Sequence, residues 1–194
     1  MGDAVSHTLD LARLRSQPRP TPVVTTTGRG AGAAARRARS PLEEEWKGER
    51  RMNSVPIDQL KVGDAVETRK TVSESDVYLF AGVTGDFNPL HVDEEFAKGT
   101  PFGARVAHGP LTFALCAGLL GTELPGLGTV AVSNSVEYQR PVYFGDTIRV
   151  RVEVGELDHK RNRATMVVTW TNQDGDQVAE GAMVVKPPRK PITI

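Results

Sequence analysis

Asp86, Asn88 and His91 place a carboxylate, an amide and an imidazole within six residues, in the string Phe80-Ala81-Gly82-Val83-Thr84-Gly85-Asp86-Phe87-Asn88-Pro89-Leu90-His91. Gly85 and Pro89 punctuate the string, so it is predicted to be a turn that holds its side chains in a fixed array. Asp86 and His91 make an acid–base pair. An imidazole with an ordinary pKa of ~6.5 exchanges protons at neutral pH, and a carboxylate nearby takes a proton from water or orients the ring. Asn88 holds a water or fixes the loop by hydrogen bonds, and Pro89 stiffens it. Gly-Asp and Asn-Pro are also ordinary turn formers, so this segment alone decides nothing.

A second segment adds to it. Ala107-His108-Gly109-Pro110 opens the apolar run Leu111–Leu120. The first N–H groups of a helix lack internal partners and lie at its positive end. Pro110 carries no donor, which leaves the Gly109 N–H to polarise a carbonyl such as that of a thioester. His108 reads as a capping or packing histidine. Asp86, His91 and His108 could in principle hold iron, but their spacing matches no metal motif and no metal is expected.

The elements that must position these groups follow from pattern. Asp58 to Asp64 reads as a turn into a strand over 65–72. Ser73-x-x-Asp76 resembles a capping box, with Asp in place of Glu or Gln, and Val77, Phe80 and Ala81 continue at helical spacing. That helix runs into the Gly85 turn, and one further helical turn is predicted over 93–97. Leu111 to Leu120 has no polar face, so it is expected to be a helix buried on every side, with Pro110 at its start and Gly121 at its end. Beyond it the apolar residues alternate: Val130, Val132, Asn134, Val136 and Tyr138; then Ile148, Val150, Val152 and Val154; then Met166, Val168 and Trp170. Such rows are antiparallel strands with one buried face. Asp174-Gly175 is predicted to be a two-residue hairpin turn, and the last strand ends before Lys186-Pro187-Pro188. One strand, short helices, one buried helix and four strands in succession argue for an α+β domain, a curved antiparallel sheet around one long helix.

Composition bounds the rest. Residues 1–51 hold 10 Lys+Arg and 6 Asp+Glu, a net of +4, while residues 52–194 hold 14 and 18, a net of −4. A net negative globular part is not expected to bind nucleic acid. Residues 1–51 are rich in Arg, Ala, Gly, Pro, Ser and Thr and are expected to be disordered. They read as a flexible tail, as an organelle transit peptide, or as the product of an upstream start with Met52 as native first residue, and a dispensable extension is the expectation. The domain is placed at residues 52–194. No segment reaches the ~18 apolar residues of a membrane span, no secretory signal is evident, and a single cysteine, Cys116, fits a reducing compartment. A soluble, cytoplasmic protein is expected, or an organelle protein if residues 1–51 are a transit peptide.

At these residues the chain resembles the MaoC-like, or hydratase 2, family. The matching segments are Phe80 through Ala97, Ala107-His108-Gly109, Gly128-Thr129, Arg140-Pro141-Val142 and Gly145-Asp146, within residues 57–188. The resemblance implies a hot-dog fold and a homodimer or dimer of dimers. It implies reversible hydration of a trans-2-enoyl-CoA to the (R)-3-hydroxyacyl-CoA, with a coenzyme A thioester as substrate and no cofactor. Asp86 and His91 would share the activation of one water and the protonation of the α-carbon. Asn88 would position them, and the Gly109 N–H would polarise the thioester carbonyl. The acyl pocket is expected against Phe87, Ala117 and Leu120. Ala117 stands where several members carry serine, and Pro110 where many carry methionine, so acyl length is left open. The alternatives are a dehydratase acting on (3R)-hydroxyacyl groups carried by acyl carrier protein, a thioesterase, and a non-catalytic module that binds acyl thioesters. Arg105, Arg140, Lys160, Arg161, Arg163, Lys186 and Arg189 are candidate contacts for the coenzyme A phosphates, each better explained as a solvated surface charge, and none is assigned.

Overall fold

The computed structural model describes residues 52–194. The expectations for residues 1–51 lie outside the described residues. A short 3₁₀ turn, Ile57–Gln59, precedes β1 (Ala65–Thr71). Helices α1 (Glu74–Thr84), α2 (Pro89–Val92) and α3 (Glu94–Lys98) follow, then α4 (Gly109–Ala114) and α5 (Ala117–Thr122). Strands β2 (Val130–Tyr138), β3 (Thr147–Asp158), β4 (Arg163–Thr171) and β5 (Gln177–Lys186) complete the chain.

The five strands form one antiparallel sheet in the order β1-β3-β4-β5-β2. The rows read from the sequence meet across it: Val150 pairs with Trp170 and Trp170 with Ala179, and Val154 pairs with Met166 and Met166 with Met183. Paired residues share a face of a sheet. This face is fully buried at Val150, Val152, Val154, Met166, Val168 and Trp170. Cys116, Leu119 and Leu120 of the helical segment belong to the same core cluster, and the Phe113 ring lies 5.9 Å from that of Trp170. The sheet thus packs around the helix, as expected from the order of elements.

Three local features differ from the sequence reading. The helical path runs from Gly109 to Thr122, with Pro110 second rather than first and Gly121 inside it. It tightens at Leu115 and Cys116, whose N–H groups reach back three residues to Thr112 and Phe113. It is also not buried on every side: Pro110, Ala114, Ala117, Gly118 and Gly121 are exposed within this chain. These residues recur at helical spacing along one stripe, and being small and apolar they are indistinguishable by pattern from core residues. In β2 the expected row is likewise open, with Val130 58%, Val132 41% and Tyr138 46% exposed. This strand is an edge bonded to β5 alone, and its register shifts between Ala131 and Ser133. The Asp174-Gly175 hairpin is made by residues 172–176 rather than by two residues. Asn172 Oδ1 accepts from the Asp174 and Asp176 N–H groups, and Gly175 takes φ 86°. Among the described residues no helix is long and apolar enough to cross a membrane.

Candidate active site

The turn is delivered by α1, and α1 is held at both ends. Ser73 Oγ accepts from the Asp76 N–H at 3.3 Å, and Asp76 Oδ2 accepts from the Ser73 N–H at 2.8 Å, completing the reciprocal capping box. Lys70 lies 2.9 Å from the same carboxylate. Burial pushes the Asp76 carboxyl up, but the bonds from Ser73 and Lys70 outweigh it and leave the group below its ordinary value. At the other end Gly85 takes the left-handed conformation, φ 77° and ψ 5°, with its N–H on the Ala81 carbonyl. Left-handed C-caps of this kind favour glycine because it has no Cβ.

The chain then folds on its own polar atoms. Asp86 Oδ1 accepts from the Asn88 N–H at 3.2 Å, and Asn88 Oδ1 accepts from the Leu90 N–H at 3.1 Å. Asn88 is therefore the N-cap of α2, with Pro89 at its first position, and α2 carries His91. His91 Nδ1 lies 2.7 Å from the Val106 carbonyl. A carbonyl only accepts, so Nδ1 carries the proton, and Nε2 of the neutral ring is left as a lone-pair acceptor. His91 is 9% exposed, whereas the Asp86 side chain is 53% exposed.

His108 lies between the two segments. It is the N-cap residue of α4 but makes no capping bond with its side chain. Its ring is 1% exposed, stacks on His91 with centroids 3.8 Å apart, and faces Phe80 at 5.1 Å. Nε2–H donates to the Asp86 backbone carbonyl at 2.9 Å and lies 3.9 Å from Asp86 Oδ2. Ligand-type atoms of Asp86, His91 and His108 fall within 4.8 Å of one another. Each histidine already spends one nitrogen on a backbone carbonyl, so the cluster is accounted for as a hydrogen-bonded array.

A cavity of about 380 Å³ opens beside this array, lined by His91 and Gly109 together with Leu90, Phe102, Val106, Thr112, Tyr138, Arg140, Val142 and Val178. Among the described residues the Gly109 N–H has no hydrogen-bond partner. The Tyr138 ring packs on Gly109 so closely that a Cβ there would lie 3.0 Å from Tyr138 Cζ. Burial pushes the Tyr138 phenol above its ordinary value. The cavity thus presents a proton acceptor at His91 and a free amide at a helix start, with a carboxylate close behind the imidazole.

Of the residues singled out by sequence, His91 and Gly109 line this cavity, Asp86 lies beside His91, and Asn88 stays outside the cavity as the cap of α2. The three expected acyl-pocket residues do not line this cavity: Phe87 is 56% exposed, Ala117 is exposed, and Leu120 is buried in the core. Arg105 is engaged elsewhere, 2.6 Å from Glu74 and 3.0 Å from Glu94, with its guanidinium over the Phe144 ring. Arg140 lines the cavity and lies 3.6 Å from Asp176. Sequence reasoning missed the roles of Tyr138 and of the Val106 carbonyl. Tyr138 could have been flagged as the aromatic end of an alternating row, but a backbone carbonyl leaves no mark in the residue types.

Comparison with known proteins gives concordant matches. The family model described as a MaoC like domain matches residues 59–175. A 3-hydroxybutyryl-CoA dehydratase of Methylorubrum extorquens is 44% identical over 134 residues, covering 69% of this chain and 85% of that protein. An (R)-specific enoyl-CoA hydratase of Aeromonas caviae is 37% identical over 134 residues, 69% of this chain and 100% of that protein. Among solved structures, the unliganded R-hydratase PhaJ1 from Pseudomonas aeruginosa matches with a TM-score of 0.70 at 37% identity, over 74% of this chain and 92% of that one. The α+β hot-dog expectation is borne out by these matches.

Proposed function

Since this chain belongs to the MaoC-like family, we propose that it is a lyase that reversibly adds water to a trans-2-enoyl-CoA to give the (R)-3-hydroxyacyl-CoA. The observation that carries the reading is that His91 and the unpartnered Gly109 N–H line one cavity with Asp86 next to the imidazole. In the hydration direction a water held by Asp86 and His91 loses a proton to this pair as its oxygen bonds to C3. The π electrons move toward the thioester carbonyl, and the charge on its oxygen is met by the Gly109 N–H at the positive start of α4. The pair then returns a proton to C2, so one water is added and no other reactant is consumed. His91 Nε2 is suited to accept because Nδ1–H is occupied by Val106. Asn88 acts through the backbone, capping α2 and tying Asp86 to it. Residues 52–194 form the catalytic unit in this reading, and residues 1–51 lie outside it.

We infer that a second copy of the chain covers the open face. The small-residue stripe of α4 and α5 and the unpaired edge of β2, with Val130 and Val132, are apolar surfaces left uncovered within one chain. Exposed apolar surface of this kind marks an interface, and light scattering that gives a monomer mass would argue against a homodimer. For the activity, the test is hydration of crotonyl-CoA by the full chain, followed as loss of the enoyl thioester. Asp86→Asn and His91→Ala are each expected to lower kcat by ~10² to 10⁴. Near wild-type turnover in both would refute the assignment.

A further inference from the structure

We propose that His108 is a positioning residue that joins the two halves of the site, an inference that rests on the hydratase reading above. Three observations carry it. His108 stands directly before Gly109, so its main chain is fixed to the helix start that presents the free N–H. Its Nε2–H reaches across 22 residues of sequence to the Asp86 carbonyl, and its ring lies against His91, centroids 3.8 Å apart with the planes inclined by 32°. One side chain therefore sets where the carboxylate, the imidazole and the amide lie relative to each other.

The third observation is a polar atom with nothing to do. His108 Nδ1 is buried and has no hydrogen-bond partner. Leaving a buried polar atom unpaired costs stability, and an apolar ring of similar shape would avoid that cost. Phe80 and His91 on either side would accept such a ring, since both contacts are ring contacts. The Asp86 turn is exposed, so water can replace the lost donor at its carbonyl. Packing and stability alone thus favour phenylalanine at this position. What phenylalanine cannot supply is the N–H that holds the Asp86 main chain in place. The His108 bond contributes geometry, and its loss lets the carboxylate drift from the water it shares with His91.

The test compares two substitutions that separate the ring from the donor. In His108→Phe the stacking surface is kept and the N–H is lost. In His108→Gln the ring is lost, but the side-chain amide places an N–H at the level of Nε2. His108→Phe is expected to melt at or above the wild-type temperature while kcat on crotonyl-CoA falls ~10², the loss that a misplacement of about 1 Å produces. KM is expected to change less than threefold. His108→Gln is expected to keep kcat within tenfold of wild type. Amide hydrogen exchange over residues 85–91 should be faster in His108→Phe than in His108→Gln, a readout that needs no turnover. Should His108→Phe fail to fold, His108→Asn takes its place, because its shorter amide stops at the level of Nδ1. The proposal is overturned if the donor-less variant keeps kcat within threefold, if both substitutions lose activity equally, or if exchange over 85–91 is unchanged. Absence of turnover in the wild-type chain would instead count against the hydratase reading, leaving the exchange comparison to judge His108.

Discussion

Gly85 is the position where a single methyl group tests how the turn is held. Its φ of 77° lies in the left-handed region, and no heavy atom stands within 4 Å of where a Cβ would be built. Steric collision with a neighbour is therefore excluded, and the cost of Gly85→Ala is that of the backbone conformation itself. For an L-residue that cost is about 1–2 kcal/mol. In a domain of this size it lowers Tm by roughly 3–10 °C. The Gly85 N–H bond to Ala81 is unaffected by the change, so the helix need not shorten. Asparagine tolerates the left-handed conformation better than other L-residues. Gly85→Asn is thus expected to recover at least half of the loss. Thermal unfolding followed by circular dichroism measures both variants. The reasoning is wrong if Gly85→Ala melts with the wild type, or if asparagine is as damaging as alanine, because each result would mean that something other than φ sets the cost.

Two further predictions follow from the same geometry. Gly109→Ala places a Cβ 3.0, 3.1 and 3.3 Å from three atoms of the Tyr138 ring. Since that ring is partly exposed and can yield, the stability cost should stay near the low end of the ~1–3 kcal/mol of overpacking, while kcat/KM falls as the ring moves into the cavity. Adding Tyr138→Leu should restore the melting temperature, and a double variant no more stable than Gly109→Ala would rule out the ring as the cause. Asp76 has a folded-state pKa below its ordinary 3.8. Its contribution is therefore complete above the unfolded value and is lost as pH falls through the folded one. Asp76→Asn should cost about 1 kcal/mol at neutral pH and flatten the acid limb of stability below pH ~4, so identical acid limbs for the two proteins would contradict the assignment.

Much of this was legible in the residues. Ser73 and Asp76 announced a reciprocal cap, Gly85 a turn at the end of the helix, and Ile148 to Val154 a strand with one dry face, because each rests on contacts between near neighbours. The turn chemistry of Asp86, Asn88 and Pro89 was legible for the same reason. The exposed stripe from Pro110 to Gly121 was not. Apolar pattern reports what a residue avoids, not whether the cover comes from the same chain, and alanine and glycine fit either case. From sequence His108 reads as a cap or packing residue because its partner, a backbone carbonyl 22 residues away, carries no sequence mark. The Val106 carbonyl that fixes the His91 tautomer was invisible for the same reason.

The strand order also bears on the sequence of events by which this chain folds. β3, β4 and β5 are joined through residues 159–162 and 172–176, so their pairing closes only short loops. β1 pairs with β3 across residues 72–146, and β2 with β5 across residues 139–176. Closure entropy rises with the length spanned, which puts the two edge strands later than the central meander. Every proposed chemical group, from Asp86 to Gly109, lies on the stretch between those two edges. The meander holds the core tryptophan and none of the proposed acid–base groups, so the part expected to gather first is chemically silent, and competence is expected to arrive with the last docking step.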